Sequence, residues 1–275
     1  MKMVSAAKFH KALESIDRFE SYYSKTFDIL SQIASIATET GMEKWFTPPA
    51  RNRNIAIVII TSNSSMCGGF NQNLIKKVTD EIPVLFPNYP ETTNLSFFCL
   101  GKKGADFFQK RKYSILPSPD NDIVNHPTYS GTSSFANSLM DGFLNGHYDS
   151  VYIAYNQYKN PAVQVPSIIQ YLPITVPEVA PNGFANFRLV FEPDRDYILN
   201  SIIPKYLKVH FHWIMLENSV GEHGARMTAM HQATDNATEL IKELTLQYNK
   251  ARQASITKEI LEIVSGAEAL KGKSV

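Results

Sequence analysis

The chain has 275 residues, with 27 Lys and Arg against 26 Asp and Glu, a formal net charge of +1. That length suits one large or two modest domains. The balanced charge argues against a dedicated nucleic-acid binder and against an acidic disordered chain. Two cysteines, Cys67 and Cys99, exclude a disulfide framework or a four-cysteine zinc site, and a reducing compartment fits them best.

The longest wholly apolar run, Ile55 to Ile60, is far short of the ~20 residues that a membrane span needs. The N-terminus, MKMVSAAKFHKALESIDRFE, is charged throughout. It has neither the apolar core of a signal peptide nor the Arg/Ser-rich character of a transit peptide. The expectation is a soluble protein that reaches a membrane only through partners.

Residues 1–38 contain no Gly or Pro. Positions 9, 13, 16, 20, 23, 27, 30, 34 and 37 alternate steps of four and three, and only Glu20 breaks an apolar stripe. A 3.5-residue apolar repeat sustained this far is a coiled-coil seam. Gly41 and then Pro48 and Pro49 mark its end.

Residues 50–200 change character. Asn54 to Thr61, NIAIVIIT, is β-branched without alternation, the pattern of a parallel strand buried on both faces. The glycine-bearing loop SNSSMCGGF follows, then a helix over 71–86 with Leu74, Val78, Ile82 and Leu85 on one face. Residues 95–100 read as a strand, 104–111 and 133–145 as helices, and 150–156 and 163–174 as strands that pair as an antiparallel hairpin at the sheet edge. Strands alternating with helices predict an α/β layer with a mainly parallel sheet.

A loop rich in Pro, Asn and Gly (173–194) leads to a third zone, and a helix is expected from near Tyr197, capped by Glu192, Asp194 or Asp196. From Trp213 to Leu270 there is no proline. Met227, Met230, Thr234, Ala237, Ile241, Leu244, Tyr248 and Ala251 again step by three and four. A second stripe, from Leu246 through Ile256, Ile260 and Ile263 to Leu270, then moves to a neighbouring face, as a straight helix drifts against a seven-residue repeat. At 1.5 Å per residue the last helix reaches ~85 Å and the first ~55 Å. Gly221 and Gly224 read as weak points, at up to ~1 kcal/mol each relative to Ala. The expected organisation is a helix over 1–38 pairing antiparallel with a helix over 205–275, with an α/β domain over 50–200 inserted between them.

A search for catalytic chemistry returns little. The loop from Ser62 to Phe70 stands where doubly wound sheets bind ligands, yet it has neither G-x-G-x-x-G nor a phosphate-loop lysine and reads as a tight strand-to-helix turn. Cys67 within it reads as an exposed thiol with no local histidine, which does not make a nucleophile. AEALKGKS (267–274) matches a relaxed phosphate-loop pattern but closes a long helix, whereas the mechanism needs a strand before the loop. The seven histidines show no metal-ligand spacing, and no carboxylate pair stands in an apolar context. No catalytic, cofactor or metal residues are assigned.

At both ends the residues match a known family. The chain resembles the γ subunit of F-type ATP synthases. MKMVSAAKF is similar to that family's MKMVAAAK, and SSMCGGFN (64–71) to its G-L-C-G-x-x-N. The densest match is EHGARMTAMHQATDNATELIKELTLQYNKARQASITKEILEIVSGAEAL, residues 222–270. It carries ARM-x-AM, A-T-x-N-A and N-x-x-RQA-x-ITKE-I-x-E-I-x-x-GA. Between the ends only strand order and the EPD…IIPKYL segment (192–207) agree.

The resemblance implies an antiparallel coiled coil of terminal helices with an inserted Rossmann-like domain. It implies a non-catalytic rotor shaft, without cofactors, standing inside a ring of three α and three β subunits. The inserted domain would join the ε subunit on the c-ring, with proton flow turning the shaft at the cytoplasmic face of a bacterial inner membrane. Membrane association would be through the c-ring alone, and nucleic acid plays no part. Carried over residue by residue, subunit contacts fall on Met1, Lys2, Arg226, Arg252, Gln253, Thr257 and Glu259, with 260–270 in an apolar bearing. Family members carry further helix before MKMV, where this chain begins at Met1; the expectation is weaker support for the tip of the C-terminal helix. Two other readings are an α/β nucleotide-binding enzyme with helical extensions and a coiled-coil scaffold. The first lacks a phosphate loop after a strand; the second predicts a folded homodimer.

Overall fold

The structure, a computed structural model, describes residues 2–37, 43–47, 53–87, 89–91, 93–117, 122–175, 192 and 195–271. In chain order the elements are α1 (Lys2–Ala37), a 3-10 turn (Glu43–Trp45), β1 (Asn54–Ile60), α2 (Phe70–Leu85), β2 (Asn94–Leu100), α3 (Lys102–Lys110), β3 (Ile115–Leu116), α4 (Asp122–Asn125), α5 (Tyr129–Leu144), β4 (Ser150–Asn160), β5 (Val163–Leu172) and α6 (Arg195–Lys271). The chain divides into two units, Met1–Ala229 and Met230–Val275.

In the first unit the five strands form one sheet in the order β3-β2-β1-β4-β5. β1 runs parallel to both β2 and β4, and β5 closes the edge antiparallel to β4. The unalternating apolar sequence of β1 is explained by burial on both faces. Ala56, Val58 and Ile60 join a core with Phe135, Leu139, Leu207 and Phe211 from α5 and α6. Ile55, Ile57 and Ile59 join a second core with Leu74, Val78 and Phe108 from α2 and α3. The result is a helix–sheet–helix sandwich.

α1 uses its heptad stripe against α6. Phe27 meets Tyr206, Tyr23 stacks on Trp213 at 4.8 Å with planes 6° apart, and Phe19 meets His212 edge-on at 4.8 Å. Further back, Phe9 and Ile16 cluster with Leu216 and Val220. Falling numbers on α1 meet rising numbers on α6, so the pair is antiparallel. Glu20, the break in the stripe, is exposed.

Gly224 is a packing position rather than a weak point, whereas Gly221 has ordinary room for a Cβ. A Cβ on Gly224 would stand 3.2 Å from the Pro161 Cα and 3.3 Å from the Phe9 ring, while one on Gly221 would meet Gln164 and Phe70 at 3.4 Å. The missing side chain of Gly224 lets the β4–β5 turn and α1 approach α6 closely.

α5 starts at Tyr129, earlier than the sequence pattern suggests. Thr128 caps it, its Oγ1 accepting from the Gly131 N–H at 3.3 Å, so a Ser/Thr-rich stretch that reads as loop is a helix start. β3, α4 and the 3-10 turn are too short to show periodicity and have no counterpart in the sequence reading. The expected stops at Gly41, Pro48 and Pro49, the capping residue Asp194, and most of the 173–194 loop lie outside the described residues.

The second unit holds the rest of α6, where residues 231–268 are exposed without interruption. Its polar side chains mostly bond one turn away: His231 with Asp235 at 2.9 Å, Lys258 with Glu262 at 3.8 Å, and Thr257 to the Gln253 carbonyl at 2.9 Å. Among the described residues, no helix is long and apolar enough to cross a membrane.

Candidate functional site

The order of the sheet puts the C-terminal end of β1 at the reversal point, where open α/β sheets usually leave a ligand crevice. Here the chain's own side chains fill it. The loop after β1 turns tightly through left-handed backbone at Met66 and Gly68, with φ of 69° and 58°. Asn71 accepts from the Ser62 N–H at 2.9 Å and donates to the Ser62 Oγ at 2.7 Å and the Cys67 Sγ at 3.3 Å. Cys67 is buried with Phe70 and Ala225, contrary to the exposed thiol expected from sequence: the turn folds its side chain under α6. Across β1, Gly101 has φ of 102° and lies so close to the Thr61 carbonyl that a Cβ would stand 2.1 Å from it. No other residue fits.

α6 is fastened to this loop by Arg226. Its guanidinium pairs with Glu222 at 2.8 Å, with side-chain exposures of 12% and 7%. It also donates to the Ser64 Oγ at 2.9 Å and the Ser64 carbonyl at 3.3 Å. Two turns before Arg226, Asn218 accepts from the Asn156 N–H at 3.2 Å, and Asn156 donates to the Phe70 carbonyl at 3.1 Å. Glu217 accepts from the Tyr158 N–H at 3.2 Å. The set forms a polar clasp joining α6, the 62–70 loop and β4.

Burial dominates its electrostatics. It pushes the Glu217 carboxyl up to about 6, against hydrogen bonds from Tyr158 and Tyr155 that lower it. It raises Glu222 as well, opposed by the Arg226 charge. Burial, then the charges of Arg226, Lys8 and His126, hold His223 down at about 4. Glu217 and Glu222 are buried carboxylates that the sequence reading did not single out. Their signal was present: both interrupt the buried run WIMLENSVGEH, and a carboxylate there must find a partner.

The other contact residues expected from sequence fall in two places. Lys2 is exposed at the start of α1, and Met1 lies outside the described residues. Arg252, Gln253, Thr257 and Glu259 lie on the exposed stretch of α6. Thr257 back-bonds to Gln253, and Ser255 donates to Glu259 at 3.5 Å. Around them stand ten large apolar side chains between Leu240 and Val264, exposed by 45–72%. Among the described residues, no group of three His, Cys, Asp or Glu could hold a metal.

Fold and site together define a class: an α/β sandwich inserted in the chain between two antiparallel helices that pack on each other, its ligand crevice plugged and its last helix carrying an uncovered apolar surface. The profile of the ATP synthase family matches residues 1–270. The ATP synthase gamma chain of Flavobacterium johnsoniae is 40% identical over 273 residues, covering 99% of this chain and 92% of that one. That of Cytophaga hutchinsonii is 39% identical, covering 98% and 92%. Among solved structures, the central stalk and c-ring of the Tetrahymena thermophila mitochondrial ATP synthase aligns with a TM-score of 0.56 at 20% identity, over 85% of this chain and 97% of its counterpart. The chain belongs to the ATP synthase gamma chain family. It is a non-catalytic subunit of a rotary ATP synthase, as the resemblance implied.

Proposed function

We propose that this chain stands as a single copy inside a ring of three α and three β subunits, with its α/β domain joined to an ε subunit and a c-ring. Proton flow through the c-ring turns it, and the complex works at the cytoplasmic face of a bacterial inner membrane. The observation that carries this reading is the exposed apolar surface of α6. A helix that leaves so many large apolar side chains in water is built to be covered, and the ATP synthase signature runs through the same residues.

In this reading Arg252, Gln253, Thr257 and Glu259 meet the surrounding subunits, and residues 260–270 turn in an apolar bearing. Met1 and Lys2 meet the lever region of β. Arg226 serves at the base, where its clasp passes load between α6 and the sheet. The shaft forms no bonds. It acts by contacting successive conformations of the ring unequally, the one way a partner shifts an equilibrium.

Co-expression with tagged α and β subunits tests this. The expected result is recovery of one copy per three α and three β, with ATPase activity that depends on it. Recovery of a free homodimer that ignores α and β would overturn the reading in favour of a scaffold.

A further inference from the structure

The first unit contains a cavity of about 460 Å³ between α1, α6 and the turn after α4, within the usual range for small-molecule sites of roughly 300–1,000 Å³. Its α1 wall carries Lys8, Lys11 and Arg18, its turn carries His126, and no carboxylate lines it. Lys11 makes no ion pair among the described residues. Lys8 faces Glu222, which Arg226 already holds at 2.8 Å. Arg18 is shared with Glu14 at 3.2 Å, both side chains being largely in solvent. Phe19 and Leu216 supply apolar wall.

His212 makes this more than a basic groove. It lines the cavity and is 6% exposed. Its Nδ1 lies 2.9 Å from the Thr132 Oγ1. That hydroxyl spends its hydrogen on the carbonyls of Thr128 and Tyr129, at 3.0 and 3.1 Å. With that hydrogen on a carbonyl the oxygen accepts from the histidine, an arrangement that puts the ring proton on Nδ1 and leaves Nε2 an acceptor. Nε2 has no partner among the described residues. Burial holds this ring near a pKa of about 4, so it stays neutral in ordinary buffer. His223, on the same cavity, is held down first by burial and then by the charges of Arg226, Lys8 and His126.

We propose that this cavity is a binding site for a small aromatic anion bearing its own hydroxyl or N–H donor. Its carboxylate or phosphate sits at Lys8, Lys11 and Arg18. Its ring lies against Phe19 and Leu216, and its donor reaches the Nε2 of His212. The shared chemistry is cationic rim, apolar wall and one acceptor at the back, and each part excludes a class. A neutral aromatic leaves the lysines unmatched; a donor-free anion leaves His212 unpaired.

The test is fluorine NMR on the full chain with 3-fluoro-4-hydroxybenzoate as probe, and with neutral 2-fluoro-4-methylphenol beside it. The expected result is saturable binding of the acid, at least tenfold tighter than the phenol and weakened by salt. Lys8→Ala with Lys11→Ala should weaken it tenfold or more. Both positions are exposed on α1, so helix content by circular dichroism should be unchanged. Lys25→Ala, on the same helix but away from the cavity, should leave binding as it was. His212→Phe should remove the preference for the hydroxyl over a methoxy analogue. Absence of binding at millimolar probe, equal binding of the phenol, or indifference to the double substitution would overturn the proposal. Because the readout is binding rather than ATPase activity, such a failure would leave the rotor reading untouched.

Discussion

Replacing Arg226 with methionine tests the clasp most sharply. The substitution keeps most of the apolar stem and removes the charge that holds Glu222. At 2.8 Å and an effective dielectric near 20, the lost attraction is about 6 kcal/mol. Part of that already offsets the desolvation of the pair, and measured losses on breaking a buried pair run about 3–5 kcal/mol. The two hydrogen bonds to Ser64 add to the loss. For a unit of this size the melting temperature should fall by roughly 2–4 °C per kcal/mol.

The pH dependence separates charge from packing. Glu222 is raised by burial even with its arginine present. Without the arginine it rises further, so the folded state binds more protons than the unfolded one, and stability falls as pH rises from the unfolded value through the folded one. The deficit of Arg226→Met should therefore be full at pH 8 and largely relieved near pH 5. Adding Glu222→Gln should recover much of it at pH 8. Thermal melts of the full chain by circular dichroism measure all of this. A deficit that is equal at both pH values, or that Glu222→Gln deepens, would refute the reasoning.

Further expectations concern the glycines, the second buried carboxylate and the exposed helix. Gly221→Ala meets only ordinary contacts and gains helix propensity of up to ~1 kcal/mol, so its melt should hold or rise; Gly224→Ala pushes on the Pro161 backbone and should lower it. Glu217→Gln should flatten the stability profile between pH 4.5 and about 6, where the wild-type chain loses stability as the buried carboxyl ionises. Unchanged slopes in urea titrations across that window would contradict this. Ile260→Asp and Leu244→Asp lie on exposed helix, so the melt of the first unit should stay within about 0.5 kcal/mol while assembly with α and β falls at least tenfold.

Some of this was written plainly in the sequence. NIAIVIIT announces a strand buried on both faces because no polar residue interrupts it. The stripe from Phe9 to Phe27 announces a partner helix because local spacing alone fixes which side chains share a face. The 222–270 signature named the family outright. The clasp was not legible in the same way. Ser64 and Arg226 lie 162 positions apart, and neither residue type signals the other. Thr132 and His212 are likewise joined only by the fold. Cys67 misled because a glycine-flanked cysteine looks exposed until the turn tucks it beneath Ala225. The start of α5 misled because serine and threonine favour loops until one of them caps a helix. Patterns carried by neighbours in the chain could be read. Polar pairings across it depended on the packed structure.

The central claim, that this chain rotates within a catalytic ring, has a direct test. Cys67 and Cys99 are both buried, so Lys110→Cys, at the exposed end of α3, offers a selective attachment point. A bead joined there, with the β subunits fixed to glass, should turn in one direction when ATP is added and stop when it is removed. A complex that hydrolyses ATP at full rate while the attached bead stays still would contradict the account.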